Sequence, residues 1–276
     1  SGAIGWIVSE EAFMQPLRKV ISKLKLRASY GQVGNANLGG RRFAYLSTIT
    51  DDYDTLNMYK WGLDSSYGLT GMAEGEFAVQ DLTWEIVNKM NLGVELGFLN
   101  GMIDLQLDYF DERRKDIFMP RESVPMTAGF MKQPWKNFGK VTNQGVEVSL
   151  NVNKQFGKDL FVSLMGTFTY AHNEITEKDE PSAVVGTNRA ETGHPVGQLT
   201  GYIAEGLFTE DDFEDVSTGK LKEGIPTQSF VSKLRPGDIR YRDVNGDGKI
   251  DISDFVRVGS SVPKLYGGWA NELRWR

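Results

Sequence analysis

Apolar and polar residues alternate along much of this chain. Leu24, Leu26, Ala28 and Tyr30 share one face of LKLRASY, and Lys25, Arg27 and Ser29 share the other. Leu92, Val94, Leu96 and Phe98 oppose Asn91, Gly93, Glu95 and Gly97. Beyond Leu99-Asn100-Gly101, Ile103, Leu105, Leu107 and Tyr109 oppose Asp104, Gln106 and Asp108. A period of two marks strands whose faces meet different surroundings, and Asn-Gly between two such runs marks a hairpin turn. Val146, Val148, Leu150 and Val152 repeat the pattern, KQFGKD (154–159) makes a second turn, and Leu160 to Tyr170 repeats it again. Gly267, Trp269, Asn271, Leu273 and Trp275 form a weaker last run, and GAIGWIV at the start adds another strand.

The runs exceed the ~5–6 residues usual for soluble strands, and a soluble sheet would need a second layer over its apolar face. A membrane barrel needs no such layer, because lipid covers the outside and water fills the inside. Tight turns at 99–101 and 154–159 alternate with long connections at 33–87, 112–142 and 172–264. Short periplasmic turns and long extracellular loops give that asymmetry. SEEAFMQPLRKVIS is expected to form a short helix on the short-turn side. The pattern predicts an all-β chain with about seven spanning strands, part of a large antiparallel transmembrane β-barrel. The whole of 1–276 is expected to be partial barrel, with 172–264 as a long extracellular loop region.

Composition narrows the function. The chain has 276 residues and a formal net charge of -6, which argues against general nucleic-acid binding. No apolar run is long enough for a membrane helix, and no signal peptide opens the sequence. Cysteine is absent, which excludes disulfides and thiolate metal sites, and His172 and His194 are too few for a multi-histidine zinc site. No nucleophile, zinc-hydrolase or phosphate-loop motif is present, so no catalytic residue is assigned.

Residues 243–254, DVNGDGKIDISD, carry the candidate metal chemistry. Asp243, Asn245, Asp247, Lys249, Asp251 and Asp254 stand at positions 1, 3, 5, 7, 9 and 12 of a calcium-type loop, with Gly248 at position 6. Calcium takes oxygen donors, and position 7 donates a backbone carbonyl, so Lys249 is compatible. Asp254 replaces the usual Glu. Ile250 is the expected apolar pin. The flanks alternate or break rather than continue as helices, so the loop is expected to be a structural clamp rather than a calcium switch.

Other candidates have milder readings. Asp104 and Asp108, with Glu95 on the neighbouring arm, could in principle act as paired carboxylates; a hydrated wall is the expected role. Thr209 and Asp212 form a capping-box pattern. Trp61, Trp84, Trp135, Tyr45, Tyr53 and Tyr59 fall in or beside long connections and suit small loop cores or sugar stacking. Phe98, Tyr109, Tyr170 and Trp269 suit an interfacial aromatic girdle. Substrate-binding residues are not assigned.

Taken in order, GWIVSEEAFM, LKLRASYGQVGN, LTWEIVNKMNLGVELGFLNGMIDLQLDYFDERRKDIF, VTNQGVEVSL, RPGDIRYRDVNGDGKIDISD and VGSSVPKLYGGW resemble the SusC/RagA family of TonB-dependent outer-membrane transporters. The resemblance implies a barrel of about 22 strands with an N-terminal plug. It also implies import of glycan or peptide driven through TonB, a SusD-like lipoprotein as lid, and a bacterial outer-membrane location. Plug, TonB box and signal peptide are not among these residues, so a carboxy-terminal barrel portion is expected. The alternative is a secreted, calcium-stabilised β-rich carbohydrate-binding module.

Overall fold

A computed structural model describes residues 1–50, 59–64, 67–69 and 72–275. One sheet dominates it, and its seven strands lie side by side in chain order. They are β1 (Gly2–Ile7), β2 (Ile21–Asn35), β3 (Glu85–Phe98), β4 (Ile103–Pro120), β5 (Trp135–Phe156), β6 (Leu160–Glu177) and β7 (Leu265–Trp275). Every neighbouring pair is antiparallel. Successive connections therefore leave opposite ends of the sheet, and the tight turns after β3 and β5 share an end.

The β3–β4 turn is built as the Asn-Gly signal requires. Leu99, Asn100 and Gly101 all take positive φ (52°, 56° and 82°), which Asn and Gly tolerate best.

Two expectations change. The segment 9–22 is helical only in part, and not as one helix. It forms two 3-10 stretches, Val8–Glu10 and Ala12–Leu17, and β2 already begins at Ile21. Pro16 lies inside the second stretch and has no amide hydrogen to continue a helix. The 112–142 connection is also mostly strand, because β4 runs to Pro120 and β5 starts at Trp135. Backbone pairing continues past the last clean alternation, so side-chain period alone ended these strands too early. The register shifts between Arg114 and Ile117, where Asp116 adopts a φ of 58°. Asn137 supports that bulge. Its Nδ2 donates to Asp116 O (2.8 Å) and Thr83 O (2.9 Å), and its Oδ1 accepts from Thr83 N (3.0 Å).

Between β6 and β7 the chain forms a second compact unit, Glu180–Val262. Short ladders pair 198–201 with 256–260, 204–207 with 239–241, and 213–215 with 220–221. A parallel bridge joins 227–228 to 249–250. Phe208, Phe213 and Leu234 form the core of this unit, flanked by Leu221, Ile225 and Val231. Among the described residues no helix is long and apolar enough to cross a membrane.

Candidate functional site: the two faces of the sheet and the acidic loop

Register turns the alternation of single strands into continuous surfaces. One row of partners runs Trp6, Leu26, Val94, Leu107, Val148, Phe168 and Gly267 across all seven strands. The next runs Ile4, Ala28, Leu92, Tyr109, Val146, Tyr170 and Leu265. Large side chains on this face stand open, including Ile4 (73% exposed) and Trp269 (66%). Tyr109 and Tyr170 lie in the same row, as an aromatic girdle requires. Trp269 does not: it pairs with Gly166, two rows further in, so position in its strand misplaced it.

The opposite face is polar and charged. Glu95 takes ion pairs from Lys23 (2.6 Å), Lys25 (3.4 Å) and Arg27 (3.4 Å). Arg27 Nη2 also donates to Asp108 Oδ2 (2.7 Å), and Gln106 Nε2 donates to the same oxygen (2.9 Å). A shallow cavity of about 230 Å³ is lined by Lys23, Glu95, Asp104, Gln106, Ser149 and Asn151 among others. The carboxylates singled out from sequence thus share a face, with Glu95 and Asp108 committed as counter-ions to wall cations. The cations and their glycine seats went unassigned in the sequence. Arg27, Gly93 and Asp108 belong to one row only because of a register that spans three strands.

Among the loop aromatics, Trp135 opens β5, tilts against Phe118 (5.1 Å between ring centroids) and lies under the Arg41 guanidinium (4.2 Å). Trp84 is 63% exposed, and its ring covers Gly34, where an added Cβ would come within 2.6 Å of it. Tyr45 makes an edge contact with Phe43. Tyr53 and the side chains of Tyr59 and Trp61 lie outside the described residues.

In the acidic loop, Asp243 accepts from Gly246 N (2.6 Å) and Gly248 N (2.8 Å). Asn245 Oδ1 accepts from Asp247 N (3.0 Å), and Asp247 accepts from Lys249 N (2.8 Å) and Asn245 Nδ2 (3.1 Å). Gly246 and Gly248 take φ of 75° and 80°, which the tight curl needs. Asp254 is fully buried, and its carboxylate bridges Val244 N and Asp251 N, both at 2.8 Å. The last position of the loop is therefore tied to its second. Asp251 accepts from Ser253 N (2.7 Å), which holds its carboxyl below the ordinary value. Ile250 is buried as the expected pin, and its carbonyl receives Ser229 N and Oγ. The donors are all hard oxygens, and each engaged carboxylate oxygen keeps a second lone pair. Among the described residues, no three His, Asp or Glu side chains converge closely enough to grip an ion.

Aromatic rings back this loop. Tyr202 stacks on Phe230 (4.9 Å) and meets Phe255 edge-on (4.5 Å). Burial, and then the charges of Asp251 and Asp254, push the Tyr202 hydroxyl's pKa up. The Thr209–Asp212 cap is present: the Asp212 carboxylate accepts from Thr209 N (2.7 Å) and Oγ1 (2.9 Å).

Comparison with known proteins decides what kind of sheet this is. Residues 16–270 match the family described as TonB dependent receptor-like, beta-barrel. The chain belongs to this family. It is an outer-membrane barrel segment, and its open apolar face is the lipid-facing one. The reading as a secreted soluble module falls away.

Among relatives of this TonB-dependent receptor segment, SusC of Bacteroides thetaiotaomicron is 30% identical over 277 residues, covering 99% of the chain and 26% of SusC. TonB-dependent receptor P26 of Formosa agariphila is 29% identical, over 99% of the chain and 26% of the receptor. The fold matches a structure of the RagAB peptide importer in its closed-closed state, with a TM-score of 0.65 at 20% identity over 99% of the chain and 27% of the matched chain. The chain spans about a quarter of the length of these relatives. They are receptors and transporters rather than enzymes.

Proposed function

We propose that this chain is wall and outer loops of a SusC-type importer that brings glycan or peptide nutrients across the bacterial outer membrane. In this reading a SusD-like lipoprotein caps the mouth, and TonB acts on a part of the protein outside these residues. The observation that carries it is the row register, which keeps one face apolar across the sheet and gathers Lys, Arg, Asp and Glu on the other from β2 to β5. The likeness to SusC supports the glycan branch, and the fold shared with RagAB is compatible with peptides. Connections 36–84, 121–134 and 178–264 then lie outside the cell, with the tight turns in the periplasm.

The test is nutrient uptake by cells lacking the full-length protein. Loss of growth on one glycan or peptide source, restored by the wild-type gene and blocked when TonB is removed, is the expected outcome. Uptake unchanged by the deletion on every source overturns the reading.

Within the same proposal, calcium draws Asp243, Asn245, Asp247, the Lys249 carbonyl and Asp251 inward from their present contacts, with Asp254, already bound to Val244 N and Asp251 N, closing the loop, and the ion clamps the 180–262 unit. Calcium would supply charge neutralisation and rigidity there. Support comes from the complete spacing, the all-oxygen donors and the tie between Asp254 and the loop's start. Terbium emission sensitised by Tyr202 tests this on the full-length protein. Emission displaced by calcium and lost in Asp243→Ala is expected; no sensitised emission in the wild type refutes it.

A further inference from the structure

We propose that the lipid-facing side of β2, β3 and β4, towards the long connections, binds a phosphorylated glycolipid of the outer leaflet. An acyl chain lies in an apolar groove, and a phosphate sits on Arg113 and Lys115. The inference rests on the orientation given above, which places the long connections outside the cell. A cavity of about 610 Å³ opens on the apolar face beside Trp6, Leu26, Leu107 and Tyr109. A second, of about 430 Å³, continues it towards Gly2, Tyr30 and Met90, and the two share Ile4, Ala28 and Leu92. Ala28 sets the depth, since its row partners Ile4 and Leu92 are larger and stand exposed on either side. An apolar trough left unfilled forfeits dispersion contacts, and a hydrocarbon chain laid along it restores them.

Beyond the groove the same face turns polar. The row past Tyr109 reads Tyr30, Met90, Asp111, Gln144 and His172, and the next reads Gln32, Asn88, Arg113, Thr142 and Glu174. Period two places these side chains on the side of Leu92 and Tyr109. Polar groups on the outward side of a barrel stand past the tails, at headgroup depth. Arg113 is held ready there: its Nε and Nη2 donate to the two oxygens of Asp111 (3.1 and 3.2 Å), and its side chain is still 69% exposed. Lys115, one same-face position further out and opposite Ile86, is exposed and makes no ion pair among the described residues. With Asp111 committed, the two cations leave one positive charge above the groove, and Glu174 is two strands away from Arg113.

The occupant follows from that charge and from its polar neighbours. A guanidinium with an open edge can donate to a phosphate, and a lysine beside it adds a point charge. Gln32 Nε2 donates to Asn88 Oδ1 (3.1 Å), and these amides, with Thr142 and Gln144, suit the hydroxyl groups of a sugar. A glycerophospholipid brings the phosphate without the sugar. A second copy of the chain would set the same unmatched cations against each other or against apolar side chains. Only a phosphorylated glycolipid supplies chain, phosphate and hydroxyls together.

Native mass spectrometry of the full-length protein, stripped of lipid in detergent and titrated with lipid A or with phosphatidylethanolamine, tests this. Lipid A should be retained in preference, and Arg113→Gln combined with Lys115→Gln should weaken its retention about tenfold. Lys115→Gln alone, which breaks no ion pair, should weaken it by a smaller factor, and Ala28→Phe should weaken it by filling the groove. Lys154→Gln should change nothing, because Lys154 stands on the same face at the tight-turn end, opposite Val162. Equal retention of the two lipids, lipid A binding indifferent to Arg113 and Lys115, or a dimer in place of the lipid overturns the proposal. Orientation is read separately: on intact cells an impermeant maleimide should label Glu223→Cys and spare Lys158→Cys. The reverse labelling would show that the orientation, rather than the lipid site alone, has failed.

Discussion

Arg27 reaches Asp108 across an intervening strand. Its guanidinium passes over Gly93 of β3, and the Arg27 Nη2 to Asp108 Oδ2 distance is 2.7 Å. A Cβ added at Gly93 would lie 2.6 Å from Arg27 Nε and 2.8 Å from its Cγ and Cζ. The glycine is the seat of the ion pair. Gly97 repeats the arrangement two same-face positions further on, past Glu95, between Lys23 and Asp104, where an added Cβ would meet both side chains.

Gly93→Val should therefore dislodge Arg27 and strand Asp108 without a cation. Breaking one side of a buried pair costs about 3 kcal/mol. Heat-induced unfolding of the outer-membrane form, read by gel mobility, should occur at a lower temperature. Arg27→Met should do the same, and Gly93→Ala should fall between. Wild-type behaviour in Gly93→Val would mean that the guanidinium has another route to Asp108.

The two faces of β4 should respond in opposite ways to one kind of change. Leu107→Arg places a charge among lipid tails and should cost about 2–4 kcal/mol near mid-depth. Gln106→Arg, one residue away and on the polar face, should assemble normally. Counting folded barrel in the outer membrane for both variants checks the assignment of faces. Equal yields would sink it.

The 180–262 unit should depend on two side chains that make no contact with solvent. Ile250→Ala removes the pin and should destabilise the unit by about 2–4 kcal/mol. Asp254→Ala leaves the amides of Val244 and Asp251 without their acceptor, at about 1–3 kcal/mol. Hydrogen exchange should speed up within 180–262 and stay unchanged in β2 to β5. Acceleration throughout both units would show that they do not unfold separately.

Asp179, at the foot of β6, gives a pH dependence. Burial opposes its ionisation, yet hydrogen bonds from Arg121 (2.9 Å) and from Ser123 N and Oγ (3.1 and 3.0 Å) hold its carboxyl below the ordinary value. A depressed folded pKa contributes stability that is complete above the unfolded value, about pH 4. That contribution disappears as pH falls through the lower folded value. Proteolysis within 121–134 should quicken below about pH 4 in the wild type. Asp179→Asn should already be fast at pH 7 and show no such acid step.

How far these features could be read from sequence depended on the range of the interaction. Period two in β2 to β6 made strands legible, because each side chain's face is fixed by its own backbone. The spacing from Asp243 to Asp254 and the Thr209–Asp212 cap were legible for the same reason. Where two faces became equally polar, as from Arg113 to Lys115, side-chain pattern stopped reporting and the strand continued on backbone pairing alone. Segment 9–22 was legible only in part, since the expected helix is divided into two short 3-10 stretches, the second of which holds Pro16.

The sequence by itself determined that there are two unlike faces, where the chain turns, and which oxygens could gather at 243–254. Those properties follow from local geometry and from solvent preference, which act on neighbouring residues. Only the tertiary structure decided that Arg27, Gly93 and Asp108 share a row. It also set Glu147 opposite Asp108, kept Trp269 out of the girdle and folded 180–262 around Phe208. Each of these depends on the packing of segments far apart in the chain; the rows rest on strand register, which pairs residues as distant in sequence as Leu160 and Trp275.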